Sequence, residues 1–212
     1  MVDLEAARTK LLKHLSWEIG DKRVVEAMSR VPRESFVPEE HYYAAYDDRP
    51  LSIGFGQTIS QPFIVALMIQ ALELKGDEKV LELGAGSGYE AAVLAKLAKR
   101  VVTTEVIPEL VESAKQVLEK LGYSNVEVHL AERTLGWLEE APYDAIIVSA
   151  GAPSIPQILL GQLVWGGRLV IPVGSRWQQE LTKVSKNKEG NKVEELGACY
   201  FVPLIGQGAW KE

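Results

Sequence analysis

The chain has 212 residues, 47% of them hydrophobic and 25% charged, with a formal net charge of -6, a pI near 5.3 and a mean hydropathy of -0.01. That length suits one α/β domain with a sizeable core, and the acidic balance argues against a general binder of phosphate backbones, which needs surplus Lys and Arg to displace counterions. The single cysteine, Cys199, makes no internal disulfide and is expected as a buried apolar thiol; with the scattered His14, His41 and His129 it forms no zinc cluster, so no metal is expected.

Residues 3 to 15 place Leu4, Ala7, Leu11, Leu12 and Leu15 at helical spacing, and residues 22 to 31 do the same with Val24, Val25, Met28 and Val31. Pro32 and Pro38 then interrupt the pattern in "VPRESFVP", and "HYYAAYDDRPLSIGFG" reads as a long ordered loop with aromatic anchors, the kind of segment that usually carries function. A polar cluster, "GFGQTISQPF", stands at the mouth of the next helix, which runs to about Leu74. Ser60 suits an N-cap and Pro62 a first turn, so the cluster by itself reads first as an ordinary helix start and second as a polar loop at a helix N-terminus, where free N–H groups favour an anion.

From there strands and helices alternate: strand Lys79 to Leu83, helix Tyr89 to about Ala98, strand Arg100 to Glu105, helix Pro108 to Leu121 with Gly122 after it, and strand "VEVHL". A short irregular or helical piece near Thr134 to Glu139, strand "DAIIVSA", helix 155 to 163 and strand "GRLVIPV" follow. The alternation implies a doubly wound, mostly parallel sheet with helices on both faces. Residues 178 to 186 and 192 to 202, joined by "NKEGN", read as an antiparallel C-terminal hairpin on its edge. Residues 1 to 60 are expected to hold helices and a loop covering substrate and cofactor, and residues 61 to 212 the core, in one structural domain overall.

The clearest chemical signal is Glu82-Leu83-Gly84-Ala85-Gly86-Ser87-Gly88 between strand and helix, where glycines let the backbone approach a ligand that a Cβ would hit. A dinucleotide fingerprint needs its third glycine or an alanine at position 89, which is Tyr89, so pyrophosphate is not the best ligand. Glu105 ends the second strand of the unit, where a carboxylate can accept both hydroxyls of a ribose. This strand-turn resembles motif I of class I S-adenosylmethionine methyltransferases, a Rossmann-like fold.

"VPRESFVP", "DRPLSIGFGQTISQP", "VLELGAGSGYEAAVLA", "APYDAIIVSAGAPSIPQILLGQL", "GGRLVIPVG" and "FVPLIG" together resemble the protein-L-isoaspartate (D-aspartate) O-methyltransferases over nearly the whole chain. The resemblance implies methyl transfer from S-adenosylmethionine to the α-carboxylate of L-isoaspartyl residues in damaged proteins and peptides, with S-adenosylhomocysteine as product and D-aspartyl residues as a further acceptor. It implies Ser60 as the residue most associated with catalysis. It puts Thr58, Ile59, Ser60, Glu82, Gly84, Ala85, Gly86, Gly88, Glu105, Val106, Glu132 and Arg133 at the cofactor. It puts Gln57, Thr58, Ser60, Val202, Pro203, Leu204 and Ile205 at the substrate. The last four are expected to pair with the peptide as an added strand.

Two positions depart from the family pattern: Ala131-Glu132-Arg133 replaces a Gly-Asp-Gly turn at the adenine, and Phe63 replaces a histidine. The alternatives are a methyltransferase of the same fold with a small-molecule acceptor, separable by assay on paired peptides, and a binding protein that has lost the cofactor, separable by equilibrium binding. The absence of a leader-like start and of any roughly 20-residue apolar run leads to the expectation of a cytoplasmic protein, a monomer by default, whose partners include neither nucleic acid nor membrane.

Overall fold

The structure is a computed structural model that describes residues 3–210. Helices α1 (Leu4–Glu18) and α2 (Lys22–Ser29) open it, each capped by an aspartate: Asp3 accepts from the N–H groups of Glu5 and Ala6, and Asp21 from that of Arg23. Strands β1 (Leu51–Gly54) and β2 (Gln57–Ile59) form an antiparallel hairpin ahead of α3 (Pro62–Ala71). The alternating part then runs β3 (Lys79–Leu83), α4 (Tyr89–Leu94), β4 (Arg100–Glu105), α5 (Pro108–Lys120), β5 (Val126–Leu130), β6 (Tyr143–Val148), α6 (Gln157–Gly161) and β7 (Leu163–Gly174). Strands β8 (Gln179–Ser185) and β9 (Lys192–Cys199) close it.

The large sheet has the order β5-β4-β3-β6-β7-β8-β9. β5 to β7 pair in parallel, and β8 pairs antiparallel with both β7 and β9. Successive residues of a strand face opposite sides, and both sides are buried here. Val80, Val101, Ala145, Ile147 and Val170 join one apolar cluster with residues of α1 to α5, while Leu81, Val102, Ile146, Leu169 and Ile171 join another with Leu159 and Leu160 of α6. The first cluster includes Leu11, Leu15, Ile59 and Val65 alongside the sheet residues. No described helix is long and apolar enough to cross a membrane.

Several sequence expectations need correction. The long loop takes in the end of a 3-10 helix, Glu39–Ala44, and the first strand and turn of the β1–β2 hairpin, whose turn Gly54-Phe55-Gly56 is left-handed at all three residues (φ 86°, 53° and 71°). A phenylalanine in that region defies its usual preference, so the turn hides a hairpin from pattern reading. Ser60 is not the N-cap of α3. That place belongs to Gln61, and the free N–H of Phe63 donates to Oδ1 of Asp48 at 2.9 Å, while Gln61 Nε2 donates to Oδ2 of the same carboxylate at 3.0 Å. Cys199 is half-buried, not buried; its thiol is pushed up to about 11 by desolvation and remains protonated. Strand β9 ends at Cys199, short of residue 202, because Phe201 turns its N–H to the side chain of Gln179.

Candidate active site

Because β3 to β6 are parallel, their C-terminal ends lie at one edge of the sheet, where crevices of such folds take ligands. Gly84, Val106, Ala131 and Ser149 each follow one of these strands directly. They line a cleft of about 1010 Å³, open solvent at its mouth included.

The floor is the Gly-rich turn. Gly84 and Gly88 hold φ of +94° and +85°, a conformation that a side-chain-bearing residue adopts only under strain, and a Cβ on Gly88 would press on Leu118 Cδ1 at 3.3 Å. The N–H groups of Gly84 and Ala85 both donate to Thr104 O. Glu105 stitches the turn to the next one: its Oε2 accepts from Gly86 N–H at 2.9 Å, its Oε1 from Val106 and Ile107 N–H at 2.8 and 3.1 Å. A carboxylate offers about four lone-pair sites, so these three bonds leave it able to accept more from a ligand.

One wall comes from the segment leading into α3. Gln57, Thr58, Ile59 and Ser60 all line the cleft. Their position depends on Arg33 of the "VPR" stretch, which is fully buried, donates Nη2 to Ser60 O and Nε to Ala45 O, each at 2.8 Å, and lies 4.7 Å over the ring of Tyr89. With the backbone of Ser60 fixed through its carbonyl and its capping role taken by Asp48, the Ser60 hydroxyl is left for the cleft.

A second wall is Val202, Pro203, Leu204 and Ile205. Part of its backbone is already used: Gly151 N–H donates to Val202 O at 2.7 Å, and Leu204 N–H to Gly151 O at 2.8 Å. Gln179, 2% exposed, anchors the segment by accepting from Phe201 N–H at 2.7 Å and donating to Phe201 O at 3.3 Å. Trp210 N–H also donates to Leu204 O at 3.0 Å, so the expectation of a freely offered strand narrows to the groups that Gly151 and Trp210 do not take.

Not every expected residue reaches the cleft. Gly84, Ala85, Gly86, Glu105, Val106 and Glu132 do. Gly88 is the left-handed N-cap of α4, packed on α5; Arg133 is exposed outside the lining, with its carbonyl accepting from Gln207 N–H; Glu82 is wholly buried behind the turn. Sequence reading missed Arg33, Glu90, Ser149 and Gln179. Arg33, Glu90 and Ser149 all stood in quoted motifs without being singled out, and the contacts that join Glu90 to Ser149 and Gln179 to Phe201 span 20 or more residues.

Glu82 on β3 and Glu90 on α4 form a buried acidic pair. Desolvation first, then the Glu90 and Glu105 carboxylates, holds Glu82 well above the usual carboxylate range, and desolvation pushes Glu90 up to about 7 against the opposing bond from Ser149. A second group of ionisable side chains, Glu127, His129 and Glu140, lies away from the cleft with Arg100 bridging its two carboxylates.

These features fit S-adenosylmethionine on this chain's own evidence: a left-handed glycine turn for close approach, a carboxylate with spare acceptor capacity for a ribose, and buried carboxyl groups suited to a cation. The comparisons agree. The family described as "Protein-L-isoaspartate(D-aspartate) O-methyltransferase (PCMT)" matches residues 6–209. The chain is 54% identical to protein-L-isoaspartate O-methyltransferase 1 of Syntrophobacter fumaroxidans over all of both chains, and 49% identical to the enzyme of Dictyoglomus thermophilum over 99% of this chain and 96% of that one. Among solved structures it is similar to a protein-L-isoaspartate O-methyltransferase (TM-score 0.86, 28% identity, 95% of this chain and 67% of that one). It is also similar to a Plasmodium falciparum structure described as a protein of that kind in complex with S-adenosyl-L-homocysteine (TM-score 0.79, 28% identity, 91% and 95%). With fold, glycine turn and whole-length similarity in agreement, this chain belongs to the protein-L-isoaspartate (D-aspartate) O-methyltransferase family.

Proposed function

We propose that this chain transfers a methyl group from S-adenosylmethionine to the α-carboxylate of L-isoaspartyl residues, and of D-aspartyl residues as a second acceptor class, in aged proteins and peptides. The observation that carries the reading is the meeting of three segments at one cleft: the glycine turn with Glu105, the Gln57–Ser60 wall and the Val202–Ile205 wall.

Bound S-adenosylmethionine supplies an electrophilic methyl on a sulfonium. The acceptor carboxylate is ionised at neutral pH, so the chain needs no general base; its work is to strip water and align the acceptor oxygen with the methyl–sulfur axis. In this reading Gly84, Ala85, Gly86 and Val106 lie along the cofactor, Glu105 accepts its ribose hydroxyls, and Glu132 stands on the adenine side. Ser60 and Thr58 position the acceptor carboxylate. Gln57 and the backbone groups of Pro203 and Ile205 hold the peptide, which tolerates varied sequences because main-chain contacts do not read side chains. The protein works as a cytoplasmic monomer on polypeptides, and its charge of -6 supports a target other than nucleic acid.

The methyl ester collapses to a succinimide that reopens partly as normal aspartate. Prolonged incubation of an isoaspartyl peptide with enzyme and cofactor should therefore yield a rising aspartyl fraction by chromatography. A peptide that stays wholly isoaspartyl while cofactor is consumed contradicts the repair reading.

A further inference from the structure

Beneath the glycine turn, Glu82 has both carboxylate oxygens buried without a hydrogen-bond partner, and Glu90 has one. The other oxygen of Glu90 accepts from Ser149 Oγ. Glu90 is 8% exposed and lines the cleft, whereas Glu82 is 0% exposed and stands behind it. The groups facing Glu82 are Glu90, Glu105 and Thr103, and the group facing Glu90 besides Glu82 is Ser149; none carries positive charge. Unpaired buried carboxylates are costly, and two that share one dry space do not both ionise, so the pair holds a proton.

This arrangement is wasteful for stability and suited to a ligand that brings a cation. We propose that the Glu82–Glu90 pair is the counter-charge for a cationic group of the methyl donor, and that donor binding expels one proton from the pair to solvent. The inference rests on the donor reading above and adds to it a specificity-determining residue, Glu90, which faces the ligand, and a positioning residue, Glu82, which acts through Glu90. S-adenosylmethionine carries two cationic groups, the sulfonium and the α-ammonium; S-adenosylhomocysteine keeps only the ammonium, and methylthioadenosine has neither.

The direction of the pH dependence follows. The cation favours the ionised pair, so donor affinity rises with pH. Below about pH 7 a proton must be displaced, and affinity falls up to about tenfold for each pH unit. Glutamine at position 90 keeps the shape of the protonated acid and a partner for Ser149 but has no proton to release.

Isothermal titration calorimetry of the full-length protein near pH 6, in two buffers of different ionisation enthalpy, tests this with S-adenosylmethionine, S-adenosylhomocysteine and methylthioadenosine as probes. The expected result is release of close to one proton per S-adenosylmethionine bound, none with methylthioadenosine, and affinity for S-adenosylmethionine that is nearly independent of pH in Glu90→Gln. Release with S-adenosylhomocysteine as well assigns the ammonium as the responding group, and release with S-adenosylmethionine alone assigns the sulfonium. Binding enthalpies of wild-type protein that are the same in both buffers for both ligands overturn the inference while leaving the donor site standing, a result that does not depend on how the variant folds. Equal proton release by wild type and Glu90→Gln also overturns it, and no binding of S-adenosylmethionine at millimolar concentration overturns the donor reading itself.

Discussion

Arg33 and Asp48 together determine what Ser60 is free to do. Arg33 takes its carbonyl, Asp48 takes over the capping of α3, and Ser60 remains on the cleft wall. Ser60→Ala should therefore lower turnover far more than cofactor affinity and move stability by less than about 0.5 kcal/mol, whereas loss of the Asp48 cap should cost about 1 kcal/mol. Steady-state kinetics beside thermal melts check this; a Ser60→Ala protein with normal turnover and a lowered melting point would return the residue to a structural role. Glu105→Ala should weaken S-adenosylmethionine binding by about 2–4 kcal/mol, since ligand bonds and the tie between Gly86 and Val106 are lost together. Glu105→Gln is no conservative change here, because its amide nitrogen would face backbone N–H groups at either end; unchanged affinity in either folded variant removes the ribose assignment. For Glu90 the linkage sign is explicit. Its folded value near 7 lies above the ordinary 4.5, so the native state binds the extra proton and the stability this confers is complete below about pH 4.5 and lost as pH rises through 7, by at most about 1.4 kcal/mol per unit. Denaturant melts of the ligand-free protein across that window should show the loss in wild type and a flatter profile in Glu90→Gln.

The wall from Val202 to Ile205 is held in place by Gln179 at the start of β8. Replacing Gln179 by alanine leaves Phe201 N–H buried without its acceptor, at a cost of about 1–3 kcal/mol, and lets the wall drift. Acceptor-peptide KM should rise several-fold while the Kd for S-adenosylmethionine stays near wild type; equal loss of both would show that the wall supports the whole cleft and not the peptide side. Elements of this kind explain what sequence could and could not show. Strands Lys79–Leu83, Arg100–Glu105 and Val126–Leu130 matched their expected bounds because continuous or alternating apolar runs between Gly and Pro signals depend on local sequence alone. The β1–β2 hairpin did not, since Phe55 sits left-handed where Gly or Asn is the usual signal. The cap of α3 lies 15 residues upstream of Phe63 in Asp48, and the Gln179–Phe201 clamp joins residues 22 apart, so no local window contains either.

Across the whole molecule, one sheet brings the ends of four parallel strands to one edge, and both covering walls are delivered there by segments outside the alternating core, one preceding α3 and one following β9. The glycine turn and Glu105 were legible as a cofactor site because strand, turn, helix, strand and acid recur in fixed order. The acceptor side was legible only through family resemblance, because Thr58, Ser60 and residues 202–205 carry no charge pattern that names a carboxylate. The acidic pair was legible as residues but not as a pair, since Glu82 and Glu90 become neighbours only when α4 folds back on β3. The central claim is selective methylation of an isoaspartyl carboxylate, and its most direct measure is the initial rate of radiolabelled methyl incorporation into two synthetic peptides identical except that one carries isoaspartate and the other normal aspartate. The account predicts base-labile label in the isoaspartyl peptide and background in its twin; equal labelling of the two, or no labelling of either by protein that binds S-adenosylmethionine, would contradict it.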